Sequence, residues 1–184
     1  VIGMAGRVFV QDSTNTCYAF NSSGALLWSF NDWESIHYKP EVGQRNPAIA
    51  ADGSVLVPAD GLYALNPASG ALRWHFRGRF HKECRASPSV GADGTIYVVI
   101  GQDSVYAVNP DGSPKWRTGF QIASEMSFAA PAIDDQGVVY IPSESYEGSF
   151  LYAFRDDGTR KWRIEIPGLR FVRASPMSSP GGDI

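Results

Sequence analysis

Few residues in this chain stand where catalysis would need them. The three histidines, His37, His75 and His81, are not spaced with a serine or a cysteine in any recognisable nucleophile arrangement. Cys17 and Cys84 are too few for a disulfide scaffold and have no metal-ligand spacing. The acidic turns Asp111-Gly112, Asp134-Asp135 and Asp156-Asp157 suggest calcium loops at first sight. They lack the alternating oxygen ligands and the distal glutamate of such a loop, and so read as hairpin turns. Asn21-Ser22-Ser23 fits the glycosylation pattern, but it also falls in a turn, where Asn and Ser belong. The one anomaly is charge. Arg73, Arg77, Arg79, Lys82 and Arg85 crowd residues 73–85 against Glu83 alone, with His75 and His81 beside them. That stretch carries +4, which leaves −7 for the rest of the chain. The chemistry on offer is recognition of an anion or an acidic partner by charge-assisted hydrogen bonds. The alternative is a solvated loop whose arginines pair with Glu83 or nearby aspartates.

Composition sets the frame for these residues. The 184 residues fit one domain or part of one, and 43% apolar against 19% charged residues is the balance of a globular chain. A net charge of −3 argues against nucleic acid or a membrane surface as the partner of the whole molecule. No apolar run approaches the roughly 18–20 residues of a membrane span. The chain opens at Val1 with neither Met nor a leader-like segment, so we expect it to be processed or part of something longer. Nineteen glycines and twelve prolines point to short strands with tight turns, and no long helical periodicity competes with them.

An internal repeat organises everything else. Tyr-Ala pairs recur at Tyr18-Ala19, Tyr63-Ala64, Tyr106-Ala107 and Tyr152-Ala153, spaced 45, 43 and 46 residues apart. Each is followed by a turn glycine (Gly24, Gly70, Gly112, Gly158) and, four residues later, by a tryptophan (Trp28, Trp74, Trp116, Trp162). Upstream lies a second block. It runs Ala48-Ile49-Ala50-Ala51-Asp52-Gly53-Ser54-Val55-Leu56-Val57 in one copy and Ser89-Val90-Gly91-Ala92-Asp93-Gly94-Thr95-Ile96-Tyr97-Val98 in the next. Pro47, Pro88, Pro131 and Pro176 introduce its copies. The local chemistry predicts a short strand, an Asp-Gly turn, a β-branched strand, an alternating strand and a turn into the tryptophan strand. A four-stranded meander cannot bury both of its faces, so the copies must stack, as blades of a β-propeller do.

The stretch Ala64-Leu65-Asn66-Pro67-Ala68-Ser69-Gly70-Ala71-Leu72-Arg73-Trp74 resembles the tryptophan-docking motif of pyrroloquinoline-quinone-type (PQQ-like) propeller repeats, Ala-x-Asp-x-x-Thr-Gly-x-x-x-Trp. Asn66 and Ser69 replace the Asp and Thr. The other copies are one residue shorter, as in Ala107-Val108-Asn109-Pro110-Asp111-Gly112-Ser113-Pro114-Lys115-Trp116, and are similar to a variant of the non-enzymatic branch. The resemblance implies an all-β propeller segment over residues 1–184, with blades near 1–30, 46–76, 87–120 and 130–166 and the start of a fifth at 174–184. It implies that each tryptophan lies against the glycine turn of a neighbouring blade. It also implies a periplasmic or other extracytoplasmic setting, and the functional analogues it offers are bacterial outer-membrane-assembly scaffold lipoproteins.

Quinoprotein dehydrogenases of the same family hold PQQ and calcium, often beside a vicinal disulfide. No Cys-Cys pair stands here and no calcium ligand set matches, so the expectation is no cofactor. The ends overlap by eight equivalent positions, 177–184 against 1–8, where a closed four-blade ring has room for one inner strand. We therefore expect four blades of a propeller of seven or eight, completed by further blades or by self-association. The function expected is non-catalytic binding of protein partners or an anionic ligand through inter-blade loops. The surface expected to do it is Arg77, Arg79, His81, Lys82, Arg85 and Arg173, the last at the repeat position of Arg85. The alternative is part of a PQQ-dependent dehydrogenase, or an accessory propeller of a larger enzyme.

Overall fold

Every repeat begins as a few inner residues that turn sharply into the longer strands further out. The computed structural model describes residues 1–3, 6–31, 45–79, 83–84, 86–101, 104–120, 127–168 and 175–176. The first blade holds β1 (Val8–Gln11), β2 (Cys17–Phe20) and β3 (Leu26–Phe30). Its inner strand is reduced to a bridge between Ile2 and Val8, where the others have a two-residue strand. The second blade is β4 (Ala48–Ile49), β5 (Val55–Ala59), β6 (Gly61–Leu65) and β7 (Leu72–Phe76). The third is β8 (Ser89–Val90), β9 (Ile96–Ile100), β10 (Ser104–Val108) and β11 (Pro114–Gly119). The fourth is β12 (Ala132–Ile133), β13 (Val139–Glu144), β14 (Ser149–Phe154) and β15 (Arg160–Ile166). Each is an antiparallel meander in sequence order, and the described residues contain no α-helix.

The register explains the Tyr-Ala pairs. Ala19, Ala64, Ala107 and Ala153 stand directly opposite Trp28, Trp74, Trp116 and Trp162 on the neighbouring strand. Side chains opposite each other share a face, so a methyl group leaves room for an indole. One residue further the pairing slips by a bulge in all four blades. The tyrosines point to the other face because side chains alternate along a strand.

This alternation builds the core between blades. Phe9, Cys17, Ala19 and Phe30 of the first blade pack with Val55, Val57, Tyr63 and Leu65 of the second. Leu56, Leu62 and Phe76 meet Val98, Ile100 and Tyr106 across the next interface. Val99, Val105 and Ala107 meet Ile141, Phe150 and Tyr152 across the third. Strands such as Val55–Ala59 and Ile96–Ile100 are buried along their whole length because a neighbour covers each face. The far face of the fourth blade gathers Ala132, Val138, Tyr140 and Ala153, with Leu151 and Trp162 packed against them. Ser175 reaches back to this blade, its hydroxyl accepting from the Ala130 N–H at 3.0 Å. The Ser87 hydroxyl accepts from the Asn46 N–H at 2.8 Å in the same relation, so Ser175 stands beside the fourth blade as Ser87 stands beside the second.

Antiparallel order sends the turns to two opposite ends. Turns between the first and second strands, and between the third and fourth, collect at one end, which carries the tryptophan docks. Turns between the second and third strands collect at the other, together with the connectors that lead from each outer strand to the next inner one.

Candidate functional site

At the docking end, a glycine with positive φ closes each outer turn, and the indole of the preceding blade lies on it. A Cβ added at Gly70 would stand 2.8 Å from Trp28, and one added at Gly112 or Gly158 would stand 2.7 Å from Trp74 or Trp116. No side chain fits at that separation, so only glycine admits the ring. Each indole N–H then donates to a carbonyl of the same turn: Trp28 to Pro67 at 3.2 Å, Trp74 to Pro110 at 3.0 Å, and Trp116 to Asp156 at 2.7 Å. The ring's pose is set within its own blade. Trp28 lies 5.6 Å from Phe9, Trp116 lies 5.8 Å from Tyr97, and Trp162 lies 5.7 Å from Tyr140. The two end positions differ from the rest. Gly24 has the same positive φ and nothing within 4 Å of an added Cβ, and no described glycine stands against Trp162.

The acidic turns are occupied by their own backbone. Asp111 accepts from the Ser113 N–H and hydroxyl, and Asp157 does the same with Thr159. These hydrogen bonds hold both carboxyls below the usual range. The Thr95 hydroxyl and N–H, helped by Lys115, bring Asp93 down to about 2. Asp134 accepts from the Gln136 and Val138 N–H groups and from the Tyr140 hydroxyl. Among the described residues no three His, Cys, Asp or Glu side chains gather as a metal site.

The run of positive charge in the sequence is divided between the two ends. Arg73 sits at the docking end, 2.6 Å from Asp52, because β7 carries the chain from one end to the other within five residues. Arg77 and Arg79 emerge at the connector end and are exposed. The Arg79 N–H donates to the Tyr106 hydroxyl at 2.8 Å, which ties the connector's first leg to the third blade. Its return leg is tied at Cys84, whose N–H donates to Ala59 O at 2.7 Å and which bridges Ile100. His81, Lys82, Arg85 and Arg173 lie outside the described residues, so the structure brings together only Arg77 and Arg79 of the expected surface.

One arrangement escaped the sequence. His75 stacks on Tyr63 with ring centres 3.7 Å apart, and its Nε2 stands 3.1 Å from Asp60 O. The Tyr63 hydroxyl donates to the Asp60 carboxylate. Arg117 over Tyr106 and Arg163 over Tyr152 hold the same register position, at 5.8 and 5.7 Å. The signal was available in the repeat: these residues face the tyrosine exactly as the tryptophan faces the alanine one place earlier. Neither cysteine offers a nucleophile, since both are buried and burial pushes the Cys17 thiol up to about 12 and the Cys84 thiol upward too.

Comparison with known proteins agrees with this geometry. A family model described as outer membrane protein assembly factor BamB matches residues 2–78 and 59–183. No curated protein is matched by the sequence. Among solved structures, BamB from Moraxella catarrhalis is similar at 16% identity and a TM-score of 0.57, over 91% of this chain and 63% of that one. A protein of unknown function from Bacteroides caccae is similar at 16% identity and a TM-score of 0.66, over 96% of this chain and 63% of that one. This chain therefore spans less than two thirds of the length of either. At such identity the likeness is one of fold, an all-β propeller of PQQ-like repeats. With the family model matching nearly its whole length, the chain belongs to the BamB family of PQQ-like propeller proteins.

Proposed function

We propose that the chain is a non-catalytic propeller scaffold that binds a protein partner, or an anionic ligand, through its connector end. The observation that carries this reading is the exit of the basic connector at that end, with Arg77 and Arg79 exposed beside the turns of the second and third blades. Its surface is Arg77, Arg79, His81, Lys82 and Arg85, joined by Arg173 from the corresponding later connector. Family membership supports a binding role, since the matched model is described as an assembly factor. An extracytoplasmic location fits the same description. The reading takes no cofactor: the turn carboxylates Asp93, Asp111, Asp134 and Asp157 already serve their own turns, which leaves them poor ligands for calcium beside a quinone. Further blades complete the ring, and Trp162 is the seat for the next one. No helix among the described residues is long and apolar enough to cross a membrane.

Binding to an immobilised polyglutamate peptide, as a stand-in for an acidic protein surface, tests the reading. The unaltered protein is expected to bind it in a salt-sensitive manner, because exposed charges are screened over roughly 10 Å at 0.1 M salt. Replacing Arg79, Lys82 and Arg85 together with alanine is expected to abolish binding with the fold intact. Binding that survives the triple replacement overturns the proposal.

A further inference from the structure

The basic connector is anchored by an arginine that does not belong to it. Arg45 stands just ahead of β4 and is 8% exposed. Its Nη1 donates to the Cys84 carbonyl at 2.6 Å, and its Nη2 stands 3.8 Å from the Glu83 carboxylate. Glu83 is fixed through its backbone as well, its carbonyl accepting from the Gly101 N–H at 2.8 Å. At the repeat position of Arg45 the other copies have Ala86, Ala129 and Ala174. The one arginine in this place thus lies against the connector with the densest positive charge.

We propose that Arg45 is a positioning residue for the basic connector, holding its return leg at Cys84 and engaging Glu83, the only carboxylate in that segment. A guanidinium has five donors and no acceptor, so a buried one must be surrounded by acceptors. The Cys84 carbonyl is fully buried with its residue and gains a charge-assisted bond. Glu83 faces Arg45, with 3.8 Å between the guanidinium and the carboxylate, so the pair adds a second hold on the same leg. The purpose of this device rests on the partner-binding reading above; its existence does not.

The test is amide exchange in the full chain carrying Arg45→Met, which keeps the length of the side chain and removes its donors. Exchange at the Cys84 and Gly101 amides is expected to rise at least tenfold, while Val98 and Val105 in the blade strands stay as protected as before. Arg45→Lys, which keeps the charge and one donating head, is expected to recover part of that protection. Unchanged exchange at Cys84 and Gly101 overturns the proposal. So does a uniform rise that includes Val98 and Val105, or a lysine variant no better protected than the methionine one. Should the methionine variant fail to fold, the lysine variant against the unaltered protein decides by the same two amides. Polyglutamate binding is read in parallel. A protein that binds no polyglutamate yet loses protection at Cys84 on Arg45→Met removes the binding function and leaves the anchor standing.

Discussion

The Trp116 indole lies flat on Gly158 of the next blade and donates its N–H to Asp156 two residues before that glycine, at 2.7 Å. Two requirements meet at the glycine. Its φ of +82° is one that side-chain-bearing residues rarely adopt, and the ring occupies the place of a Cβ. Gly24 shares the first requirement, with a φ of +84°, but not the second.

That pair separates the two costs. Gly24→Ala is expected to lose about 1 kcal/mol, the cost of forcing a left-handed backbone on alanine. Gly158→Ala must also displace the indole and is expected to lose about 3 kcal/mol in total. Urea unfolding of the two variants measures the difference, and equal losses would contradict the docking account.

Truncating the indoles gives the complementary result. Trp74→Ala and Trp116→Ala each empty a contact between blades and are expected to lose about 3–5 kcal/mol. Trp162→Ala, with no described glycine turn upon it, is expected to cost less than half as much in the 184-residue chain. Equilibrium unfolding of the three variants side by side provides the check.

Much of this could be foreseen. Periodic features announce themselves, so the tryptophans, the turn glycines and the four blades were all legible from their spacing. Contacts that occur once were not. Nothing in the sequence joins Arg45 to Cys84, 39 residues on, because only the stacking of one blade on the next brings them together. The charge run reaches two ends of the fold for a related reason. Arg73 and Arg77 are near in sequence, yet Arg73 lies at the start of β7 and Arg77 just past its end, so Arg73 meets Asp52 at the opposite end. Composition counts charges along the chain, whereas a strand carries its two ends apart.

Acid should loosen the turn that holds Asp93. Hydrogen bonds from Thr95, then Lys115, lower this carboxyl to about 2 from an ordinary 3.8. A carboxyl depressed by folding contributes stability above its unfolded value and loses it as pH falls through the folded one. Asp93→Asn is therefore expected to be less stable than the parent at pH 7, with the gap closing between about pH 4 and pH 2. Thermal unfolding across that range reads it directly.

Both thiols should be silent in the folded protein. Cys17 and Cys84 are buried, and burial raises both above the range in which a thiolate forms at neutral pH. A disulfide reagent at pH 8 is expected to label neither until denaturant is added, when both react. Rapid labelling of either in the native state would contradict its burial.

The direction of the docks gives the chain a polarity of growth. Each blade readies its own indole through a contact inside itself and then waits for a turn that is made later. A ribosome working from the first residue onward would always present a finished seat to the blade still emerging. A nascent chain interrupted between blades would show a tryptophan to water, whereas one cut from its beginning would show only a glycine turn. The emission colour of the tryptophans would therefore report from which side a propeller of this kind had been left incomplete.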